Sequence, residues 1–112
     1  EPLADQQWAQ FKLADMACRI EAARGLIYGA SVMKDKGLVY SQQSAMAKLY
    51  ASEVCNFCTY EAISIIGTDS TTSRYPVERM WRDMKLTEIG EGTSEIQRIV
   101  ISRAILKSII SD

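Results

Sequence analysis

Two long runs of apolar residues at three- and four-residue steps, each closed by a glycine, leave this chain little choice of fold. In the first run Leu13, Met16, Ala17, Ile20, Ala23, Ile27 and Ala30 recur at helical spacing, while Asp15, Arg19 and Lys34 fall off the stripe. The spacing predicts a helix from about Gln6 to Asp35, roughly 45 Å long at about 1.5 Å per residue, with Gly37 as its stop. In the second run Met46, Leu49, Tyr50, Val54, Phe57, Tyr60 and Ile63 repeat at the same steps. They predict a helix from about Ser41, read as its N-cap, to Ile66, stopped by Gly67.

Beyond Gly67 the pattern changes. Thr68-Asp-Ser-Thr-Thr-Ser-Arg74 is rich in short hydroxylated side chains that compete with the backbone for hydrogen bonds, so it reads as a loop. A short third helix is expected over about Pro76 to Lys85. Pro76 suits its first position, and Val77, Met80, Trp81 and Met84 form its apolar face. Gly90-Glu91-Gly92 interrupts the pattern, and a fourth helix starts near Thr93 or Ser94, where Ser94 and Gln97 have the form of a capping box. Ile96, Ile99, Val100, Leu106, Ile109 and Ile110 are expected to line its buried side. With no strand signal, the fold class is all-α, an up-and-down four-helix bundle. The long helices carry more apolar surface than such a small bundle needs, so part of it is expected to face another domain or subunit.

Composition narrows the function. The 112 residues suit one domain, and 47% of them are apolar, which argues against disorder. A net charge of −1, from 13 basic and 14 acidic residues, offers no field for nucleic acid or an anionic membrane. No apolar run is long enough to span a bilayer. The opening Glu1-Pro-Leu-Ala-Asp5 reads as a piece cut from a longer chain. There is no histidine, so acid–base work falls to a carboxylate, Lys, Tyr or Cys, and a histidine metal site is excluded. The three cysteines are an odd number at no secretory spacing and read as reduced thiols. Cys55 and Cys58 have a CxxC spacing, but with no βαβ context and too few further ligands they read as small residues on a helix face, and no metal site is expected. The five methionines read as core packing, and the mixed charges Arg79, Arg82, Asp83 and Lys85 as an ion-pair network.

Glu91 is the informative acid. It stands between two glycines just before a helix start, on backbone free to take unusual torsions. One reading is an acid complementing the helix dipole. The other is a carboxylate poised as a general base beside the hydroxyls of Thr93 and Ser94 and the open first-turn N–H groups. The residues themselves leave both open.

The ordered set Tyr75-Pro-Val-Glu-Arg79, Arg82-Asp83 and Glu91-Gly-Thr-Ser-Glu-Ile-Gln-Arg98 resembles the signature of the acyl-CoA dehydrogenase family. Lys12-Leu-Ala-Asp-Met16, Ile20-Glu-Ala-Ala-Arg24 and Ala45-Met-Ala-Lys-Leu49 resemble its bundle helices, so the likeness runs from about Trp8 to Lys107. It implies the C-terminal helical domain of a FAD-dependent enzyme of the short- and medium-chain branch. Such an enzyme converts acyl-CoA thioesters to trans-2-enoyl-CoA in fatty acid β-oxidation and passes electrons to an electron-transfer flavoprotein. The resemblance makes Glu91 the base, places Gly92 at the thioester, and puts Thr93, Ser94 and Glu95 on FAD. It also brings the loop Ser64, Ile65, Ile66, Gly67 and Thr68 to the FAD of a neighbouring subunit in a homodimer or homotetramer. In that loop the family usually carries a glutamine and further glycines, where this chain has Ser64 to Thr71; Gly90 stands where an aromatic is common. The family's N-terminal helical and middle β domains have no counterpart in these residues, so the chain by itself is expected to be catalytically silent. The bacterial cytoplasm and the mitochondrial matrix both fit. Two other readings stand beside this one: a family-derived structural or non-dehydrogenating oligomerisation module, and a free-standing helical interaction module.

Overall fold

The computed structural model describes residues 2–67, 79–83 and 94–110. After a short 3-10 turn at Leu3–Asp5 come three long helices: α1 (Gln7–Asp35), α2 (Ser41–Ile66) and α3 (Ser94–Ile110). Residues 79–83 are also helical, and among the described residues there is no strand. The expected loop at 68–74, Pro76, Val77, Met84 and the Gly90–Thr93 turn lie outside the described residues.

Both glycine stops act through positive φ. Gly37 has φ +71, Leu38 N–H donates to Met33 O at 3.0 Å, and Gly37 N–H donates to Lys34 O at 3.1 Å. That nested pair is the Schellman closure, which a side chain would strain. Gly67 has φ +76, and its N–H is held by Ile63 O. The start of α2 differs from expectation. Tyr40 occupies the N-cap position with no side-chain bond, and Ser41 is the first helical residue. The first closed turn is Ser44 N–H on Tyr40 O at 2.8 Å, so the helix begins one residue earlier than a serine cap would set it.

The helices run up, down and up. Lys12 pairs with Glu61 and Arg19 stacks on Phe57, so α1 and α2 are antiparallel. Arg98 meets Glu53, while Val100, Arg103 and Lys107 lie beside Val39, Ser41 and Gln42, so α2 and α3 are antiparallel as well. α2 is central, packed by α1 on one flank and α3 on the other. Helical residues 79–83 join it through Trp81, whose indole N–H donates to Asn56 Oδ1 at 3.1 Å.

The seam on α1 is narrower than the apolar stripe suggests. Ala9, Ala23 and Ala30 are buried and Met16 is half-buried, all at seven-residue intervals. Lys12, Arg19, Leu26 and Met33 fill the alternate positions. This is a 3.5-residue repeat, the pattern of helices that wrap on one another, and its alanines let the backbones come close. Leu13, Ile20 and Ile27, also seven apart, flank the seam and stay exposed. On α2, Ala45, Ala47 and Val54 are buried, but Tyr60 is 63% exposed. On α3, Ile96, Ile99, Leu106, Ile109 and Ile110 are exposed, contrary to the expected buried side, and only Val100 of that set is half-covered. Periodicity tells which residues share a face; it does not tell whether anything covers that face.

Candidate functional site

The expected site residues that are described gather toward one end of the bundle. At the close of α2, Ser64 is exposed, Ile65 and Ile66 are half-buried, and Gly67 is exposed. Among the described residues, a Cβ placed on Gly67 would meet nothing within 4 Å. The N-terminus of α3, with Ser94 and Glu95 in its first turn, faces the same end. Glu95 is exposed and complements the dipole of α3. Because Arg98 meets Glu53, α3 begins roughly nine residues, about 14 Å, short of the end of α2. Among the described residues the two segments therefore make a step in the bundle end. Glu91, Gly92, Thr93 and Thr68 lie outside the described residues.

Four contacts join the other helices to α2 between Glu53 and Glu61, and none was evident from sequence spacing. Lys12 Nζ bonds Glu61 Oε2 with side chains 31% and 14% exposed, one turn before Ser64. The Arg19 guanidinium lies 3.5 Å from the Phe57 ring centroid, a cation–π stack. Trp81 is held by Asn56. Arg98 Nη2 stands 3.0 Å from Glu53 Oε1, both well exposed. Lys12 and Arg19 stand at seam positions of α1, although the apolar stripe read from the sequence leaves Arg19 outside it.

Cys55 is exposed, Cys58 is half-buried, and neither is in a disulfide. Cys58 Sγ points to Met16 O at 4.0 Å. Burial raises its thiol pKa above the ordinary 9.0, Cys55 adds to the rise, and the Arg19 charge works against it. Both cysteines line an apolar groove of about 480 Å³ between α1 and α2, with Ile20, Ile27 and Val54. Among the described residues no group of three Cys, Asp or Glu side chains could hold a metal ion, and no helix is long and apolar enough to cross a membrane.

The described residues thus define an all-α domain: an antiparallel bundle with a stepped end and long lines of exposed apolar residues. Residues 1–106 match the model of the acyl-CoA dehydrogenase C-terminal domain. A cyclohexane-1-carbonyl-CoA dehydrogenase of Geobacter metallireducens is 48% identical over 96% of this chain and 28% of its own length. The mitochondrial short-chain specific acyl-CoA dehydrogenase of Rattus norvegicus is also 48% identical, over 96% of this chain and 26% of its own length. The structure of butyryl-CoA dehydrogenase from Megasphaera elsdenii superposes with a TM-score of 0.90 at 44% identity, covering 95% of this chain and 28% of that one. The chain belongs to the acyl-CoA dehydrogenase family. It spans a little over a quarter of the length of these relatives.

Proposed function

We propose that this chain is the C-terminal bundle of a longer FAD-dependent acyl-CoA dehydrogenase that also has an N-terminal helical and a middle β domain, and that Glu91 is its catalytic base. The reading is carried by the run Glu91-Gly-Thr-Ser-Glu-Ile-Gln-Arg98, whose last five residues open α3 at the same bundle end as Ser64–Gly67.

The described residues suit a flavin nucleotide. Among the described residues nothing lies within 4 Å of a Cβ built on Gly67, which supports the approach of a flat group to its backbone. The positive end of the α3 dipole favours an anionic group there. Ser94 and Glu95, with Thr93, would hold FAD of the same subunit, and Ser64, Ile65, Ile66, Gly67 and Thr68 would meet that of a neighbour. Bound FAD supplies the acceptor for the hydride that leaves the substrate's β-carbon. Glu91 takes the α-proton, and the electron pair of the broken Cα–H bond becomes the new double bond of a trans-2-enoyl-CoA. Gly92, with no side chain, lets the thioester lie close to the backbone. A closed, water-poor site would raise the Glu91 pKa and fit it to a weakly acidic carbon. The partners in this reading are the acyl-CoA substrate, an electron-transfer flavoprotein and further copies of the chain in a dimer or tetramer, in the bacterial cytoplasm or the mitochondrial matrix.

Glu91→Gln in the full-length enzyme is expected to lower dehydrogenation by about 10²-fold or more, the usual weight of a general base, while the flavin absorbance stays. Retained turnover would refute the base. The chain of 112 residues, given FAD and a short acyl-CoA, is expected to reduce no dye. A second reading, a non-dehydrogenating structural member, draws on the altered Ser64–Thr71 loop. It predicts a full-length protein that purifies colourless.

A further inference from the structure

We infer that the trough between the start of α2 and the second half of α3, at the bundle end away from Ser64–Gly67, is a docking surface for an acidic segment of a partner protein. The inference does not depend on the role of Glu91.

Charge is unevenly spread along this chain. Residues 34–48 and 99–110 hold Lys34, Lys36, Lys48, Arg103 and Lys107 against a single acid, Asp35, a net of +4. The chain as a whole carries −1, so the remaining residues carry −5. The fold gathers the two basic segments at one end, because the antiparallel run of α2 and α3 sets the start of one beside the finish of the other.

Two open hollows of about 510 and 620 Å³ follow the α2–α3 seam there, and they share Val39, Ser41 and Val100. Together they run from Lys48 and Gln97 to Lys107 and Ser108. From Gln97 to Ser108 is about three turns of α3, so the trough is about 16 Å long, room for about five extended residues. Among the described residues no acid lines either hollow, whereas Lys48, Arg103 and Lys107 do. Val39, common to both, is 85% exposed, and Leu38 beside it is 53% exposed.

Two simpler accounts of this pattern fall short. Cations in the last turn of a helix complement its dipole, which covers Lys34 and Lys107. It does not cover Lys48, near the positive end of α2, or Arg103, in the middle of α3. A small anion or a nucleic acid backbone would use the charges but has no use for Leu38 and Val39. An acidic segment with an apolar anchor uses both: its carboxylates meet the three cations and its anchor covers Val39.

The test titrates the full-length protein into a fluorescein-labelled peptide of about 14 residues, glutamate with leucine at every third or fourth position, and reads anisotropy. Beside it stand a peptide with glutamine for glutamate, one with serine for leucine, and a single-stranded oligothymidine. The acidic peptide is expected to bind with a Kd of tens of micromolar at about 0.05 M salt and more weakly at about 0.5 M. Arg103→Gln with Lys107→Gln should raise Kd about tenfold, and Val39→Ser about threefold. All three side chains are exposed, so Tm and flavin content are expected to match the parent. The glutamine and serine peptides should bind at least tenfold more weakly. No binding of the acidic peptide would overturn the inference, and a trough already covered by the rest of the protein or by a second copy would give that result. So would binding indifferent to Arg103 and Lys107, a serine peptide as tight as the leucine one, or an oligothymidine held as tightly by the same residues.

Discussion

Lys12 and Glu61 meet across the α1–α2 seam with the carboxylate only 14% exposed, so the pair is worth more broken than made. Removing one partner leaves a largely desolvated charge, whereas replacing both with apolar groups is close to neutral. Lys12→Met is expected to destabilise the fold by about 1–3 kcal/mol, seen as a lower urea midpoint with an unchanged slope. The double variant Lys12→Met/Glu61→Leu should regain most of that. Cys58 gives a second prediction. Its pKa is raised in the fold, first by burial and then by Cys55, so the folded state holds the thiol proton more tightly than the unfolded chain does. That contribution is fully present below pH 9, the ordinary thiol value, and is lost as pH climbs through the raised one. Tm is therefore expected to fall less steeply above pH 9 in Cys58→Ala than in the parent. Such pairings were hidden in the sequence because the partners stand far apart in it. Asn56 and Trp81, or Lys12 and Glu61, become neighbours only once the register between helices is set.

At the scale of the helix, the sequence was far more readable. The ends of α1 and α2 fall where Gly37 and Gly67 put them, since φ +71 and +76 are open to glycine and costly to other residues. The coverage of each helix was not readable, because an apolar residue at the right spacing looks the same whether or not a partner lies against it. Ile20 and Ala23 share one stripe, yet only Ala23 is buried. The candidate site divides in the same way. The bundle end shared by Ser64–Gly67 and Ser94–Glu95 follows from the antiparallel run of the helices, while the side-chain contacts to α2 do not. The glycines supply a prediction with two signs. Gly37→Ala should cost about 1–2 kcal/mol, since it forces a Cβ into the left-handed region. Gly25→Ala, in the middle of α1 with nothing within 4 Å of the new methyl, should stabilise by about 0.4–1 kcal/mol. Thermal melts of the two variants against the parent decide both.

The whole molecule is too thin for its mass. Its radius of gyration is 17.4 Å, against about 13 Å for a compact domain of this length, and it measures 59 × 28 × 25 Å. It exposes 8088 Å², where a compact monomer of 12.5 kDa exposes about 6,200 Å². The excess of about 1,900 Å² is more than twice the roughly 800 Å² that one partner buries in a standard protein–protein interface. Exposed apolar residues on the Leu13–Ile20–Ile27 line and on α3, where Ile109 is 64% exposed, contribute to it. Apolar lines of this length rarely stay in water on a monomer. The chain on its own is therefore expected to bind an apolar dye and to sediment above 12.5 kDa at tens of micromolar, as about a dimer or larger. Glutamine at Ile20, Ile27, Leu106 and Ile109 should reduce both signals while far-UV circular dichroism stays helical, because these four side chains are exposed and lie outside the buried set. A parent chain that sediments as a monomer and binds no dye would mean that the uncovered lines close on each other in solution, and the thin bundle would then be only one of its arrangements.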